Sequence, residues 1–370
     1  MFGREKPESE QDALRTQVSL GVAPEGASAD QSGTTSLNDG KPPSLQTGAL
    51  IDGRFEILAR AGSGGMADVY RARDLQRGIA VAVKVLKESI PSLERFEREA
   101  RLLAEVRHPS IAAYVAHGHL ASGIPYIAME WLEGYDLETL LRQRRLSVRE
   151  SVDLARRVAH ALAAVHERGV IHRDVNPSNL FLVGGRTDDV RILDFGVARR
   201  LSAAQKPLTL AGSPVGTPGY MAPEQAQGQN EVSAAADVFA LGCVLFECLT
   251  GRRAFSGGTL LEILAKILAE QLPDPSTYND RVPPDLDRLV ASLLSKHPSE
   301  RPSDGNAVAH LLTRLGELDD ASPESMPRSS TAAVTDTEQR ISCVILVRVD
   351  SSNAFEAAVR AAGPHGVRPS

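Results

Sequence analysis

Regular alternation of apolar and polar positions starts near Phe55 and stops near Leu315. The first part of that span reads in period two. Phe55–Arg60, Val69–Arg73 and Ile79–Leu86 are β-branched or alternating runs split by glycine-bearing turns, which predicts three strands. Leu93–Val106 changes to helical spacing, and Tyr126–Trp131 returns to a short strand. Past Gly134 helices dominate. Ser147 to Glu150 fits a capping box, with Leu146 placed as a hydrophobic staple. The stripe Val152, Ala155, Val158, Leu162, Val165 then carries a helix to a stop at Gly169. Leu180–Val183 and Val190–Leu193 predict two strands joined through Gly184-Gly185. The longest apolar run, Ala234 to Leu249, is interrupted by Asp237 and Glu247. It falls short of the roughly 18–20 residues of a membrane span, so a buried core helix is expected. Strands first and helices afterwards predict an α+β fold with two segregated lobes: a small β-rich lobe at about 55–130 and a larger helical one at about 131–315.

The flanks read differently. Residues 1–50 are rich in Ser, Gly, Asp, Gln and Thr without any period, as expected of a disordered, solvated tail. From 316 to 340 the chain is polar again and reads as a linker. Ile341–Val349 is expected as a strand and Asn353–Ala362 as a helix. Thirty residues are too few for an independent core, so 341–370 reads as the start of a truncated second module. Its strand Val344–Asp350 resembles the opening strand of a class III nucleotide cyclase domain; an unrelated strand or frayed tail is the equal alternative.

Composition narrows the function. With 42% hydrophobic residues in 370, the chain can bury a sizeable core and is not disordered as a whole. A net charge of −6 and no basic tract give a nucleic-acid role no electrostatic support. Cys243, Cys248 and Cys343 lack metal-ligand spacing, and the first two are expected as buried small hydrophobes. The charged start Met1–Lys6 is followed by no apolar stretch, which excludes a secretory signal there and, with no membrane span, predicts a cytoplasmic protein.

Three places carry chemistry. Ala61, Gly62, Ser63, Gly64, Gly65, Met66, Ala67, Asp68 and Val69 lie between two predicted strands. Glycines there let backbone N–H groups approach phosphate oxygens; a plain hairpin is the competing reading. A strand follows the glycines where a dinucleotide-binding turn needs a helix. In Val81-Ala82-Val83-Lys84, alternation sends Ala82 and Lys84 to one face of a strand. An inward lysine must find an anion, and Glu99 on the apolar stripe of the next helix is a candidate partner reaching with it towards phosphate. Taken singly, each charge is more simply a surface group. The strongest signal is His172-Arg173-Asp174-Val175-Asn176-Pro177-Ser178-Asn179, followed by the strand pair that ends in Asp194-Phe195-Gly196. Two strand ends thus deliver Asp174, Asn179 and Asp194 to one neighbourhood. Carboxylate and amide oxygens are hard ligands suited to Mg2+, and one carboxylate can stay free of metal to orient a hydroxyl.

These motifs, with Ala222-Pro223-Glu224 after them, occur in an order that resembles eukaryotic-like protein kinases. The segment Gly216–Gln225 is similar to that of bacterial-type Ser/Thr kinases, and the resemblance covers roughly 55–315. It implies a two-lobed protein-kinase fold and transfer of the ATP γ-phosphoryl group, with Mg2+, to Ser or Thr hydroxyls of protein substrates. By the same resemblance, the 61–68 loop covers the phosphates and Asp174 orients the hydroxyl. Lys84, steadied by Glu99, grips the α/β-phosphates, while Asn179 and Asp194 hold Mg2+. Val69, Ala82 and Phe181 sandwich adenine, the backbone of Glu130 and Leu132 bonds its edge, and Met129 closes the back. Arg173 would pair with a phosphorylated loop residue, Thr209 ahead of Ser202 and Ser213, and Thr217 would dock a polypeptide. Arg301 would pair with Glu224, and a transient homodimer would serve autophosphorylation.

Two positions depart from the family pattern. Ala67 replaces the third loop glycine, a small change that stiffens the loop without blocking it. Asn176 stands where Ser/Thr kinases usually carry Lys. An amide can donate to a γ-phosphate oxygen but brings no charge, so a lowered rate is expected, with Asn176→Lys raising it. The alternatives are a pseudokinase that binds ATP as a scaffold and a small-molecule phosphotransferase. Pro177 and Thr217-Pro218 disfavour a tyrosine-specific enzyme.

Overall fold

The computed structural model describes residues 45–64, 67–87, 93–194, 218–229, 231–316 and 318, without the side chains of 93–95 and 99. The expectations for residues 1–44, Thr209, Ser213, Thr217, the linker past 318 and the 341–370 module lie outside the described residues. The chain divides into two compact units, one formed by 45–104 and 113–131, the other by 105–112 and 132–318 among the described residues.

Among the described residues the first unit is an antiparallel sheet with one helix. Its strands are β1 (Leu50–Ile51), β2 (Phe55–Ser63), β3 (Ala67–Asp74), β4 (Ile79–Leu86), β5 (Tyr114–His119) and β6 (Pro125–Glu130), in the order β1-β2-β3-β4-β6-β5. Helix α1 (Leu93–Glu105) lies between β4 and β5 in the chain. Alternation sorts the two faces. Phe55, Ile57, Tyr70, Ala72, Val81, Val83, Tyr126 and Ala128 are buried in one core, where the rings of Phe55 and Tyr126 meet edge to face at 5.9 Å. The other face carries Val69, Ala82, Lys84, Ile127 and Met129, each only partly buried. Residues 45–50, read from the sequence as tail, are tied to this sheet: Gly48 N–H donates to Ile57 O, Leu45 N–H to the Tyr70 hydroxyl, and Leu50 pairs with Glu56.

The second unit is mainly helical. It contains β7 (Gly134–Asp136), α2 (Leu137–Gln143), α3 (Val148–His166), β8 (Leu180–Val183), β9 (Val190–Ile192), α4 (Pro223–Ala226), α5 (Ala235–Thr250), α6 (Leu260–Ala269), α7 (Pro284–Leu293) and α8 (Gly305–Thr313). Strands β7, β8 and β9 form a small antiparallel sheet in that order. The expected capping box is present: Ser147 Oγ accepts from Glu150 N–H, and the Glu150 carboxylate accepts from Ser147 N–H. The staple is not. Leu146 is buried, but the fourth helical residue is Ser151, whose hydroxyl donates to Ser147 O, so there is no apolar partner for it. Gly169, at φ 68°, follows the end of α3, where Val170 N–H reaches back to Val165 O. Every residue of α5 except Glu247 is buried, which makes it the central core helix. Gly305 starts α8 hard against α3; a Cβ there would lie 2.4 Å from Ala159 O.

Candidate active site

In the first unit, register explains why Ala82 and Lys84 share a face. Lys84 of β4 pairs with Val69 on β3 and Ile127 on β6; one pleat along, Ala82 pairs with Arg71 and Met129. Directly paired residues project to the same side of a sheet, so Val69, Ala82, Lys84 and Met129 form one half-exposed patch. The glycine-rich hairpin closes at its edge, with Gly62 paired to Val69, Ser63 to Asp68, and Gly64 N–H donating to Ala67 O at 2.9 Å. Gly65 and Met66 lie outside the described residues. Ala67 is already the first residue of β3 and is buried, paired with Leu86.

Asp68 is a strut of this hairpin. Its carboxylate takes Arg60 at 2.8 Å and Lys87 at 3.2 Å, and Lys87 also donates to Ser63 Oγ at 3.1 Å. Burial pulls its carboxyl up, but the bonds from Arg60, Ser63 and Lys87 outweigh that and hold it below the ordinary value. Glu130 is pinned at both ends to one neighbour: its N–H donates to Ala113 O and its carboxylate accepts from Ala113 N–H, each at 2.8 Å. Trp131, the single tryptophan of the chain, follows it, with the Arg71 guanidinium 5.1 Å from its ring centre. Glu99 lies on α1, but its side chain is outside the described residues, so its pairing with Lys84 stays an expectation.

In the second unit the loop 172–179 is built around one carboxylate. Asp237, fully buried in α5, accepts His172 N–H and Arg173 N–H, each at 2.7 Å. The same carboxylate takes His166 Nε2 of α3 at 2.9 Å. His166 Nδ1 accepts Gly305 N–H at 3.1 Å, which places the ring proton on Nε2. These bonds hold Arg173 at φ 66°, a left-handed conformation that costs a non-glycine residue energy. His172 continues the scaffold: Nδ1 accepts Asp174 N–H at 3.2 Å, and Nε2–H donates to Leu193 O at 2.9 Å, next to Asp194. Asp194 is likewise left-handed, at φ 51°. Leu193 N–H donates to Asn179 O at 2.8 Å, so the two ends of the β8–β9 pair are linked as the motif spacing required.

Asp174 is held by two amides. Asn179 Nδ2 donates to Asp174 O at 2.8 Å and to its Oδ2 at 3.2 Å. Asn176 Nδ2 donates to the same carbonyl at 3.0 Å and to Oδ1 at 3.1 Å. Asn176 Oδ1 accepts from Ser178 N–H at 3.0 Å and Ser178 Oγ at 2.6 Å, capping the turn Pro177–Asn179. The expectation that Asn176 offers a donor to a phosphate oxygen is therefore corrected: both of its N–H bonds are spent on Asp174. For Asn179 the same count leaves Oδ1 as its remaining polar atom. That oxygen, with the Asp194 carboxylate, is a hard-oxygen donor set and fits Mg2+.

Leu132 and Phe181 are half-buried in this unit, with Phe181 on β8 paired to Asp136. Beyond Thr217 the chain is tied down at Tyr220, whose hydroxyl donates to Glu247 on α5, and burial pushes the Glu247 carboxyl up. Glu224 and Arg301 form the expected pair, bidentate at 2.8 and 2.9 Å and buried. The sequence reading missed the roles of Asp237 and His166. The signal for Asp237 was available, as a lone carboxylate inside an apolar run must find donors.

Residues 55–313 match the protein kinase domain family. The chain belongs to that family. It is 37% identical over 264 residues to a probable serine/threonine-protein kinase of Corynebacterium efficiens, covering 68% of this chain and 40% of that protein. It is 33% identical over 297 residues to the serine/threonine-protein kinase PknB of Mycobacterium tuberculosis, covering 78% of this chain and 46% of that protein. The chain thus spans less than half the length of these relatives. The kinase domain of Mycobacterium tuberculosis PknI has the same fold, with a TM-score of 0.57 at 24% identity, covering 73% of this chain and 99% of that one.

Proposed function

We propose that the protein is a Ser/Thr kinase that transfers the γ-phosphoryl group of ATP to Ser and Thr hydroxyls of proteins, itself included. The observation that carries this reading is the doubly held Asp174 beside Asn179: a carboxylate fixed by one amide on each oxygen has a set direction from which to orient a hydroxyl. Mg2+ would supply charge neutralisation on the phosphates, with Asn179 and Asp194 as the residues to hold it. Lys84, steadied by Glu99, would take the α/β-phosphates, under a lid formed by residues 61–68. Val69, Ala82 and Phe181 would enclose adenine, whose edge meets the backbone of Glu130 and Leu132. Thr217 would dock the acceptor polypeptide. Phosphate on Thr209, or on Ser213, would pair with Arg173 and order the loop between them. The activity would take place in the cytoplasm, and a transient homodimer would serve autophosphorylation. Among the described residues no helix is long and apolar enough to cross a membrane.

The test is transfer of label from γ-labelled ATP to the protein and to generic acceptors, followed by phosphoamino-acid analysis. We expect Mg2+-dependent phosphoserine and phosphothreonine. Binding of Mg-ATP with no transfer to any acceptor would favour the pseudokinase reading, and phosphotyrosine alone would overturn the acceptor class.

A further inference from the structure

We infer that Asn176 is a positioning residue for Asp174: together with Asn179 it clamps the carboxylate by one amide on each oxygen, in place of a cation. The inference rests on the phosphotransfer reading and goes beyond it, since the family pattern would put a lysine at this position.

Asn176 is 2% exposed, and its four hydrogen-bonding places are all taken within the loop. Two donors go to Asp174, at 3.0 Å to the carbonyl and 3.1 Å to Oδ1. Two acceptor places go to Ser178, which fixes the amide's orientation because Ser178 N–H can only donate. Asn179 repeats the pattern on the other side, at 2.8 Å to the same carbonyl and 3.2 Å to Oδ2. Each carboxylate oxygen therefore has one amide partner, and rotation about the Asp174 side chain would break both.

A lysine cannot reproduce this arrangement. An ammonium has three donors and no acceptor, so Ser178 N–H and its hydroxyl would lose their partner and the turn its cap. Its charge would also have to be carried away from a position that is 2% exposed. Asn176 is thus a distinct solution to holding Asp174, built with a cap that lysine does not offer. It follows that Asn176→Lys lowers turnover, the reverse of what the sequence comparison alone suggests.

Two substitutions separate the clamp from the cap. Asn176→Asp keeps an acceptor for Ser178 but removes both donors and sets a second carboxylate against Asp174. Asn176→Ala removes clamp and cap together. We expect both to lower kcat by about 10–100-fold, the loss of a hydrogen bond to a charged group, with KM for ATP within about twofold of wild type. Both should lower the melting temperature, Asn176→Asp by setting like charges together and Asn176→Ala by losing the cap. An Asn176→Asp enzyme with wild-type kcat would show that the residue merely caps the turn. If the aspartate variant does not fold, Asn176→Ala carries the test, assayed well below its melting point, and an unchanged kcat there overturns the clamp. Wild type run alongside keeps the two readings apart. A wild type that binds Mg-ATP and transfers nothing removes the proposed function, whereas an active wild type with equally active variants removes the clamp alone.

Discussion

Asp237 does for the backbone of the 172–179 loop what Asn176 and Asn179 do for the Asp174 side chain. Its two oxygens gather His172 N–H, Arg173 N–H and the His166 ring, while His166 in turn receives the first turn of α8 at Gly305. A single buried carboxylate thereby supports the left-handed Arg173 that precedes Asp174. Asp237→Asn exchanges one acceptor oxygen for a donor that faces other donors. We expect a loss of about 1.5–3 kcal/mol in unfolding free energy, with turnover reduced even in the folded fraction, by denaturant melts and single-turnover kinetics. At this scale the sequence is half legible. Asp174, Asn179 and Asp194 stand out by type and spacing. The fate of the Asn176 amide does not, because which way a short amide turns depends on Ser178 and on the backbone of a strained loop.

At the scale of elements, period and chemistry agree wherever a run is long and one-sided. Strands β2, β3 and β4, helix α3 with its capping box, and the buried α5 all follow from apolar spacing. The sequence reading missed β5, β7 and α2. All six residues of β5 are half-buried, so Tyr114–His119 shows no alternation, and β7 and α2 are too short for a period to emerge. One pair holds the start of the sheet: Arg54 meets Asp74 through two bonds at 3.0 and 2.7 Å, with Asp74 fully buried. The Arg54 bond holds the Asp74 carboxyl below its ordinary value, against the upward pull of burial. A lowered folded pKa favours the fold above the unfolded value and loses that advantage as pH falls through the folded one. Asp74→Asn should therefore destabilise the protein by about 1.5–3 kcal/mol at pH 7. The gap between mutant and wild type should begin to narrow below about pH 4, where the unfolded carboxylate takes up its proton, and go on narrowing as pH falls through the lower folded value. A gap that is constant from pH 7 to pH 3 would assign the effect to packing.

For the whole molecule, the family and the two-lobed plan were readable because several short motifs recur in fixed order over roughly 260 residues, far more than any one of them shows alone. What the order of motifs leaves open is whether the machinery turns over with Asn176 in it. The most direct measurement compares wild type with Asp174→Asn, following phosphoryl transfer and nucleotide binding on the same samples. Trp131, alone of its kind in the chain and stacked under Arg71 next to Glu130, gives an intrinsic fluorescence signal for binding. The account predicts that Mg-ATP shifts Trp131 emission with the same affinity in both proteins, within about threefold, while transfer to Ser and Thr falls by at least about 10³ in the mutant. Equal transfer rates in the two proteins would contradict it.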